Sequence, residues 1–501
     1  MTKQRSLILT LSVSLLATTT LSSTASAETS YVKTDDPWYV DGKAALKERL
    51  EHQPNTNKAK NIILFVGDGM GVSTITAARI YDGQSRGETG EENVLSFEAF
   101  PHTALVKTYN TDAQVSDSAG TASALNTGVK TRIGEISTRS TAISGDCKSF
   151  LEGYPETFAE IARRSGKNIG VVSTSLIVDA TPAAVYAHSP KRRWYSDAQM
   201  TDEDRAAGCT DISSQLLDFA PTVALGGGRS MFIPETITDP EYSDKQGMRK
   251  DGTNLAQQWI NQLDGAEYVW NKSGFDNIDI AKTDHLLGLF EPSVMQYEAD
   301  RNDEPAGEPS LTEMTKTAIE ILSKNDGGYY LMIEGGRIDH AHHMGNAYRA
   351  LHDTQEFDLA VRQALSMVDL DETLVLVTAD HSHVFTIAGY PPRGNPILGL
   401  SHTVDHDLEA GLAMAADDKP YTTLGYTNGP GYVEGERPHL TEQEVQDHDY
   451  LQQAAVPKTS ESHGGEDVAI FAAGPWAHLV DGTMEQNVIY HIMKHAMDLD
   501  E

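Results

Sequence analysis

From Tyr330 the chain runs Tyr330-Leu331-Met332-Ile333-Glu334-Gly335-Gly336-Arg337-Ile338-Asp339-His340-Ala341-His342-His343. Four apolar residues in a row have about the length of a buried parallel strand, and Glu334 stands at its carboxyl end. Gly335 and Gly336 let backbone or a ligand come close. Asp339 and His343 are four residues apart and share one face of the helix expected next. Asp339, His340, His342 and His343 put four metal-competent side chains into five residues, which a solvated face does not explain. In open α/β sheets, ligand sites lie beyond the carboxyl ends of the strands.

The same pattern recurs along the 501 residues. Short β-branched runs occur at 62–66, 104–108, 169–172, 222–225, 374–378 and 468–471. Helical stripes lie between them: Phe158, Ile161 and Ala162; Met314, Ala318, Ile321 and Leu322; Tyr348, Leu351, Phe357, Val361 and Leu365. The alternation predicts an α/β fold, a mostly parallel central sheet flanked by helices on both faces. Two stretches interrupt it. Residues 230–310 mix acidic loops with short apolar segments. Residues 390–460 are rich in Gly, Pro, Tyr, Asp and His, and 390–455 reads as an inserted subdomain because strand-like residues resume only at Val468.

Four more clusters sit at strand ends: Val66-Gly67-Asp68-Gly69-Met70-Gly71, Val115-Ser116-Asp117-Ser118-Ala119-Gly120-Thr121-Ala122, Thr378-Ala379-Asp380-His381-Ser382-His383 and, just before a strand, Ser462-His463-Gly464-Gly465-Glu466-Asp467. Ser118 falls at an expected helix start, where amides and the helix dipole favour an anion. Each cluster alone reads equally as a turn or a cap. Together their carboxylates and imidazoles supply ligands for several metal ions. Two metals and an oxygen nucleophile suit in-line displacement at phosphorus.

Hydrophobic residues make up 39% and charged residues 22%, enough for a packed core. At about 150 residues per domain, the length admits roughly three units or one large unit with insertions. The 39 Lys+Arg against 73 Asp+Glu leave a net charge of −34, a field that repels nucleic acid and anionic lipid. Residues 1–27 read as a signal peptide: Lys3 and Arg5, an apolar run over 7–16, and Ala25-Ser26-Ala27 as the cleavage site. The run is too short to span ~30 Å of hydrocarbon. Its removal takes the charge to −36 and implies an exported product, periplasmic or extracellular, with no membrane anchor. A disulfide persists there, and Cys147 and Cys209 are the only candidates.

At these residues the chain resembles the alkaline phosphatases, the animal-type branch more than the enteric bacterial one. The likeness runs through nearly the whole chain after residue 27. It rests on the stretches 117–122, 334–343, 378–383 and 462–467 in family order and spacing, with Trp194-Tyr195-Ser196-Asp197, Gly226-Gly227-Gly228-Arg229 and Gly429-Pro430-Gly431-Tyr432. The resemblance implies two zinc ions and one magnesium. Ser118 is then the nucleophile that becomes a phosphoserine. Asp339, His343 and His463 hold the first zinc; Asp68, Asp380, His381 and Ser118 hold the second. Asp68, Thr181 and Glu334 hold magnesium. Arg192, rather than Lys191 or Arg193, clamps the phosphate oxygens, by its distance from Trp194-Tyr195.

Asp179-Ala180-Thr181-Pro182 resembles the enteric type, in which the Asp reaches magnesium through water; animal enzymes have His there. His340 follows the animal type. Cys147 and Cys209 match an animal pair, implying a disulfide. Glu241, the Phe290 carbonyl, Glu291 and Glu308 fall where an animal calcium site has its ligands, Glu308 in place of an Asp; a plain acidic surface is the other reading. The activity implied is hydrolysis of phosphate monoesters by a homodimer, with 390–455 as a crown near the two-fold axis and Tyr390, Tyr421, Tyr426 and Tyr432 in it. A phosphodiesterase of the same superfamily usually has Thr as nucleophile and lacks the Arg. A sulfatase needs a modified Cys or Ser in a motif that does not occur here. A non-catalytic metal- or phosphate-binding protein is opposed by the intact ligand set. The acidity suits saline, halophilic surroundings.

Overall fold

Every residue of Asn61–Gly67, Tyr329–Gly335, Thr373–Ala379 and Val468–Ala473 is buried. Strands buried on both faces are covered by helices on each side. A computed structural model describes residues 36–404 and 411–499; the signal peptide read at 1–27 lies outside them. Residues 36–52 form one unit, the helix Pro37–Glu51, capped by Asp36 and with no buried residue. The second unit begins at Gln53 and carries the sheet.

Its strands are β1 (Asn61–Gly67), β2 (His102–Lys107), β3 (Asn168–Leu176), β4 (Val223–Gly227), β5 (Ala266–Val269), β6 (His285–Leu289), β7 (Tyr329–Gly335), β8 (Thr373–Ala379), β9 (Val468–Ala473) and β10 (Thr483–Glu485). They form one ten-stranded sheet in the order β10-β2-β9-β8-β1-β7-β3-β4-β6-β5. Only β9 runs against its neighbours, β8 and β2. The expected α/β class and mostly parallel sheet are therefore present.

Side chains alternate across a strand, so Phe65 and the register partners Ile62 and Tyr330 point to opposite faces. Phe357, on the helix Ala347–Leu365, packs edge-on against Phe65 with ring centroids 5.8 Å apart. Phe158, on the helix Phe158–Arg164, packs edge-on against Tyr330 at 4.8 Å. Each face is thus closed by a helix whose apolar stripe was visible in the sequence. Removing either Phe ring costs about 3–5 kcal/mol.

The 230–310 stretch differs from the expectation of loops, because β5 and β6 complete one edge of the sheet and the helix Leu255–Gln262 precedes them. Strand structure also returns before Val468. Leu424–Gly429 pairs antiparallel with Phe385–Ile387 and parallel with Ala454–Pro457. Near it Leu400, Leu440 and Val445 form a small core of their own. Cys147 and Cys209 are bonded, with Cα atoms 5.9 Å apart.

Candidate active site and metal centre

β1, β7 and β8 end in register, so Asp68 and Asp380 leave neighbouring strands at one level, and Glu334, still within β7 opposite Val66, lies two residues below them. Ligand atoms of Asp68, Asp380 and His381 lie within 4.8 Å of one another, all buried. Asp380 Oδ1 accepts from the Gly69 and His381 N–H groups at 3.0 and 2.9 Å, and Oδ2 accepts from Thr121 Oγ1 at 3.1 Å. Asp68 Oδ1 and Thr181 Oγ1 are buried with no hydrogen bond. Burial, then the charges of Asp380, Asp339 and Glu334, push the Asp68 carboxyl well above its ordinary range. Glu334 accepts from the Ser173 hydroxyl, yet burial and the nearby Asp179 and Asp380 push it up to about 8. Crowded carboxylates and orphaned oxygens fit a hard divalent cation, whose charge removes the repulsion.

The helix Arg337–His343 follows β7 after one residue, which places Asp339 and His343 one turn apart. Nδ1 of His343 faces the Glu461 carbonyl and Nδ1 of His463 faces the Ser116 carbonyl, both at 2.7 Å. With the hydrogen on Nδ1, each ring can present its Nε2 lone pair to a metal. Those two Nε2 atoms are 3.1 Å apart, and each is 3.4 Å from Asp339 Oδ1. Two imidazole nitrogens and a carboxylate oxygen converging on one point fit a divalent cation.

Two residues here were not singled out from the sequence. His383 donates to Asp339 Oδ1 at 2.8 Å and to Glu461 Oε2 at 2.6 Å. Burial opposes its charge, but these two hydrogen bonds push its pKa up to about 9. Burial also disfavours the Asp339 carboxylate, yet His343, His383 and His463 hold it well below the usual range. His383 stood in a quoted cluster without a role. Glu461 had no signal but adjacency to Ser462. His342, by contrast, serves the core: it bonds Tyr426 Oη at 2.7 Å and Thr74 Oγ1 at 2.9 Å.

Ser118 opens the helix Ser118–Thr127, capped by Asp117, which accepts from the Gly120 N–H. Its Oγ lies 3.2 Å from His381 Nε2. Arg192 reaches the same place from another loop, held by Asp117 Oδ2 at 3.0 Å and Asp179 Oδ1 at 3.2 Å. Lys191 and Arg193 are exposed.

The family model described as alkaline phosphatase matches residues 59–499. The chain belongs to the alkaline phosphatase family. It is 47% identical over 451 residues to an alkaline phosphatase of Gadus morhua, with 88% of this chain and 92% of that protein covered. It is 46% identical over 477 residues to the tissue-nonspecific alkaline phosphatase of Felis catus, with 93% and 89% covered. The fold is similar to that of Thermus thermophilus alkaline phosphatase, with a TM-score of 0.64 at 22% identity over 89% of this chain and 93% of that one. The protein is thus a metal-dependent phosphate monoester hydrolase. Among its described residues no helix is long and apolar enough to cross a membrane.

Around this alkaline phosphatase centre, Asp179 also accepts from Tyr195 Oη at 3.1 Å and from Ser175 Oγ at 3.1 Å. Burial works against the Asp179 charge, but Arg192 and His340 lower its pKa. His340 Nδ1 lies 3.1 Å from Arg337 Nη1. In the suspected calcium region the structure groups Glu241 and Glu291 with Glu304, a residue the sequence reading passed over. The Phe290 carbonyl accepts from Arg229 Nη1 at 3.0 Å. Glu308 accepts the Gln296 N–H through Oε1 at 2.8 Å, and its Oε2 is buried without a partner.

Proposed function

We propose that this alkaline phosphatase works with two zinc ions and one magnesium, through a phosphoserine at Ser118. The observation that carries the reading is the convergence of His343 Nε2, His463 Nε2 and Asp339 Oδ1 on one point, beside a second group of Asp68, Asp380 and His381. Asp68, Thr181 and Glu334 are the magnesium set, supported by the orphaned Asp68 Oδ1 and Thr181 Oγ1. Asp179 and His340 act on that set from outside it. When bound, the zinc ions supply Lewis-acid charge at the attacking and leaving oxygens.

Ser118 Oγ attacks phosphorus as the alcohol leaves, forming a phosphoserine. Water then cleaves that ester, releasing inorganic phosphate and restoring the hydroxyl. The amides at the start of Ser118–Thr127 face the phosphoryl oxygens. Arg192 forks onto two of those oxygens, its plane fixed by Asp117 and Asp179.

Residues 28–501 are one catalytic domain and 390–455 its inserted crown. Residues 1–27 direct export to the periplasm or beyond, into saline surroundings. Glu241, the Phe290 carbonyl, Glu291 and Glu308, joined by Glu304, hold calcium. The chain works as a homodimer with the crown near the two-fold axis. Tyr390 is 91% exposed there, and Val404, Met414, Tyr432 and Val433 are exposed side chains of the same stretch that a second copy would cover, whereas Tyr426 is buried in the core and is not available to an interface.

Rates on a monoester, a diester and a sulfate ester at pH 9 test the chemistry, alongside metal analysis and restoration after chelation. The monoester is expected to dominate, with two zinc and one magnesium per active chain. A faster diester, or full turnover with one zinc, overturns this reading.

A further inference from the structure

Glu461 is buried, at 2% exposure, and three of its four polar groups contact His343 or the His383 ring behind Asp339. Its carbonyl accepts the Nδ1–H of His343 at 2.7 Å, and its amide donates to the His343 carbonyl at 2.9 Å. Its Oε1 accepts the Val384 N–H at 2.8 Å, and Oε2 accepts His383 Nδ1–H at 2.6 Å. His383 passes the contact on, donating from Nε2 to Asp339 Oδ1 at 2.8 Å. One residue thus touches His343 through its backbone and Asp339 through a single imidazole. Any residue can make the backbone contacts; only a side-chain acceptor of this reach can make the others.

We infer that Glu461 is a positioning residue that aims Asp339 and His343 at the first zinc. The carboxylate locks the His383 ring, and the ring fixes the rotation of the Asp339 carboxyl about its own axis. Without that lock Oδ1 swings away from the point where both Nε2 lone pairs meet. The inference rests on the two-zinc reading above. Partners behind a metal's ligands typically change affinity by about 10- to 100-fold.

The test compares zinc-loaded wild-type protein with Glu461→Ala, Glu461→Gln and His383→Ala, titrated with a chelator, and with cobalt-substituted forms by visible spectroscopy. Glu461→Ala is expected to lose one zinc of two at about 10-fold lower chelator and to change the spectrum of that cobalt alone. Glu461→Gln still accepts from Val384 and leaves a neutral His383 able to donate to Asp339, so it should restore most of the retention. Glu461→Ala and His383→Ala should weaken zinc no more together than singly. Wild-type retention and spectrum in Glu461→Ala overturn the inference, as does equal weakening of both zinc ions, or a Gln variant as leaky as the Ala. Should Glu461→Ala fail to fold, His383→Gln breaks the same bridge but leaves the Glu461 backbone in place. It must then lose the same single zinc, and full retention there overturns the inference. A wild-type chain that never takes up two zinc ions sinks the two-zinc reading and this inference with it. A wild type with two zinc and an Ala variant equal to it sinks this inference alone.

Discussion

At Ser118 the hydroxyl stands on the first turn of a helix, 3.2 Å from His381 Nε2 and 4% exposed. Ser118→Ala removes one oxygen from a site whose other groups hold one another, so the fold should persist. Turnover should fall by about 10³-fold or more, and no phosphoprotein should be trapped at low pH. A phosphoryl group found on another residue overturns the assignment. Arg192 is a different case, because Asp117 and Asp179 hold its guanidinium before any substrate arrives. Arg192→Ala should lower kcat/KM roughly 10²-fold and weaken inhibition by inorganic phosphate, with zinc content unchanged. Arg193→Ala should do little, since that side chain is exposed; the reverse pattern would put the clamp at Arg193. Asp339 and His343 could be paired from the sequence because a separation of four residues puts both on one helical face, as the helix Arg337–His343 does, whereas Ser118 alone read equally as a helix cap and its role came from the family resemblance. His383 and Glu461 were not legible, because they matter through hydrogen bonds between segments 78 positions apart.

Strands explain what was legible at the next scale. β1, β7, β8 and β9 read clearly because burial on both faces leaves only apolar residues. β5 was missed because it is an edge strand whose first three residues are half-buried or exposed, so its sequence keeps Glu267 and Tyr268 and shows no apolar run. The antiparallel course of β9 leaves no trace in its composition. The loops after β4 and β6 carry the acidic group of Glu241, Glu291 and Glu304, and Glu308 is close enough to feel the charges of Glu291 and Glu304. Burial comes first in pushing Glu241 and Glu308 each up to about 8. A carboxyl raised this way keeps its proton in the folded state after the unfolded chain has released it. Its contribution to stability is present below about pH 4.5 and is lost as pH rises through 8. The chelated protein should therefore unfold more easily at pH 8.5 than at pH 6. A bound cation needs the deprotonated forms, so calcium retained after dialysis should rise over the same interval. Thermal midpoints with and without calcium across that range would show the gap widening; a constant gap means these carboxylates bind no metal.

The molecule as a whole carries 73 acidic and 39 basic residues, so at least 34 carboxylates lack a basic partner of their own. Many of the pairs that do form are exposed, such as Lys58–Asp498 at 3.2 Å and Lys282–Asp279 at 2.5 Å, and are worth roughly 0–1 kcal/mol each. Added salt acts on both populations. It weakens the exposed pairs, which lowers stability, and it screens the unpaired excess, which raises it. The Debye length falls from ~30 Å at 0.01 M to ~3 Å at 1 M, so long-range repulsion disappears while contacts inside a buried metal centre keep their strength. With the excess nearly as large as the number of possible pairs, and each exposed pair worth little, repulsion should decide the sign. The proposed homodimer would bring two such excesses together, so its association should gain from salt for the same reason. The thermal midpoint should rise as NaCl goes from millimolar toward molar, and light scattering should show dimers persisting to lower protein concentration. Divalent metal must be held constant throughout, since a ligand that binds only the folded state shifts the midpoint by mass action. KCl at matched ionic strength separates screening from a specific ion. If the midpoint stays flat or falls in both salts, the surface charge keeps the protein dispersed in solution and adds no salt-dependent stability.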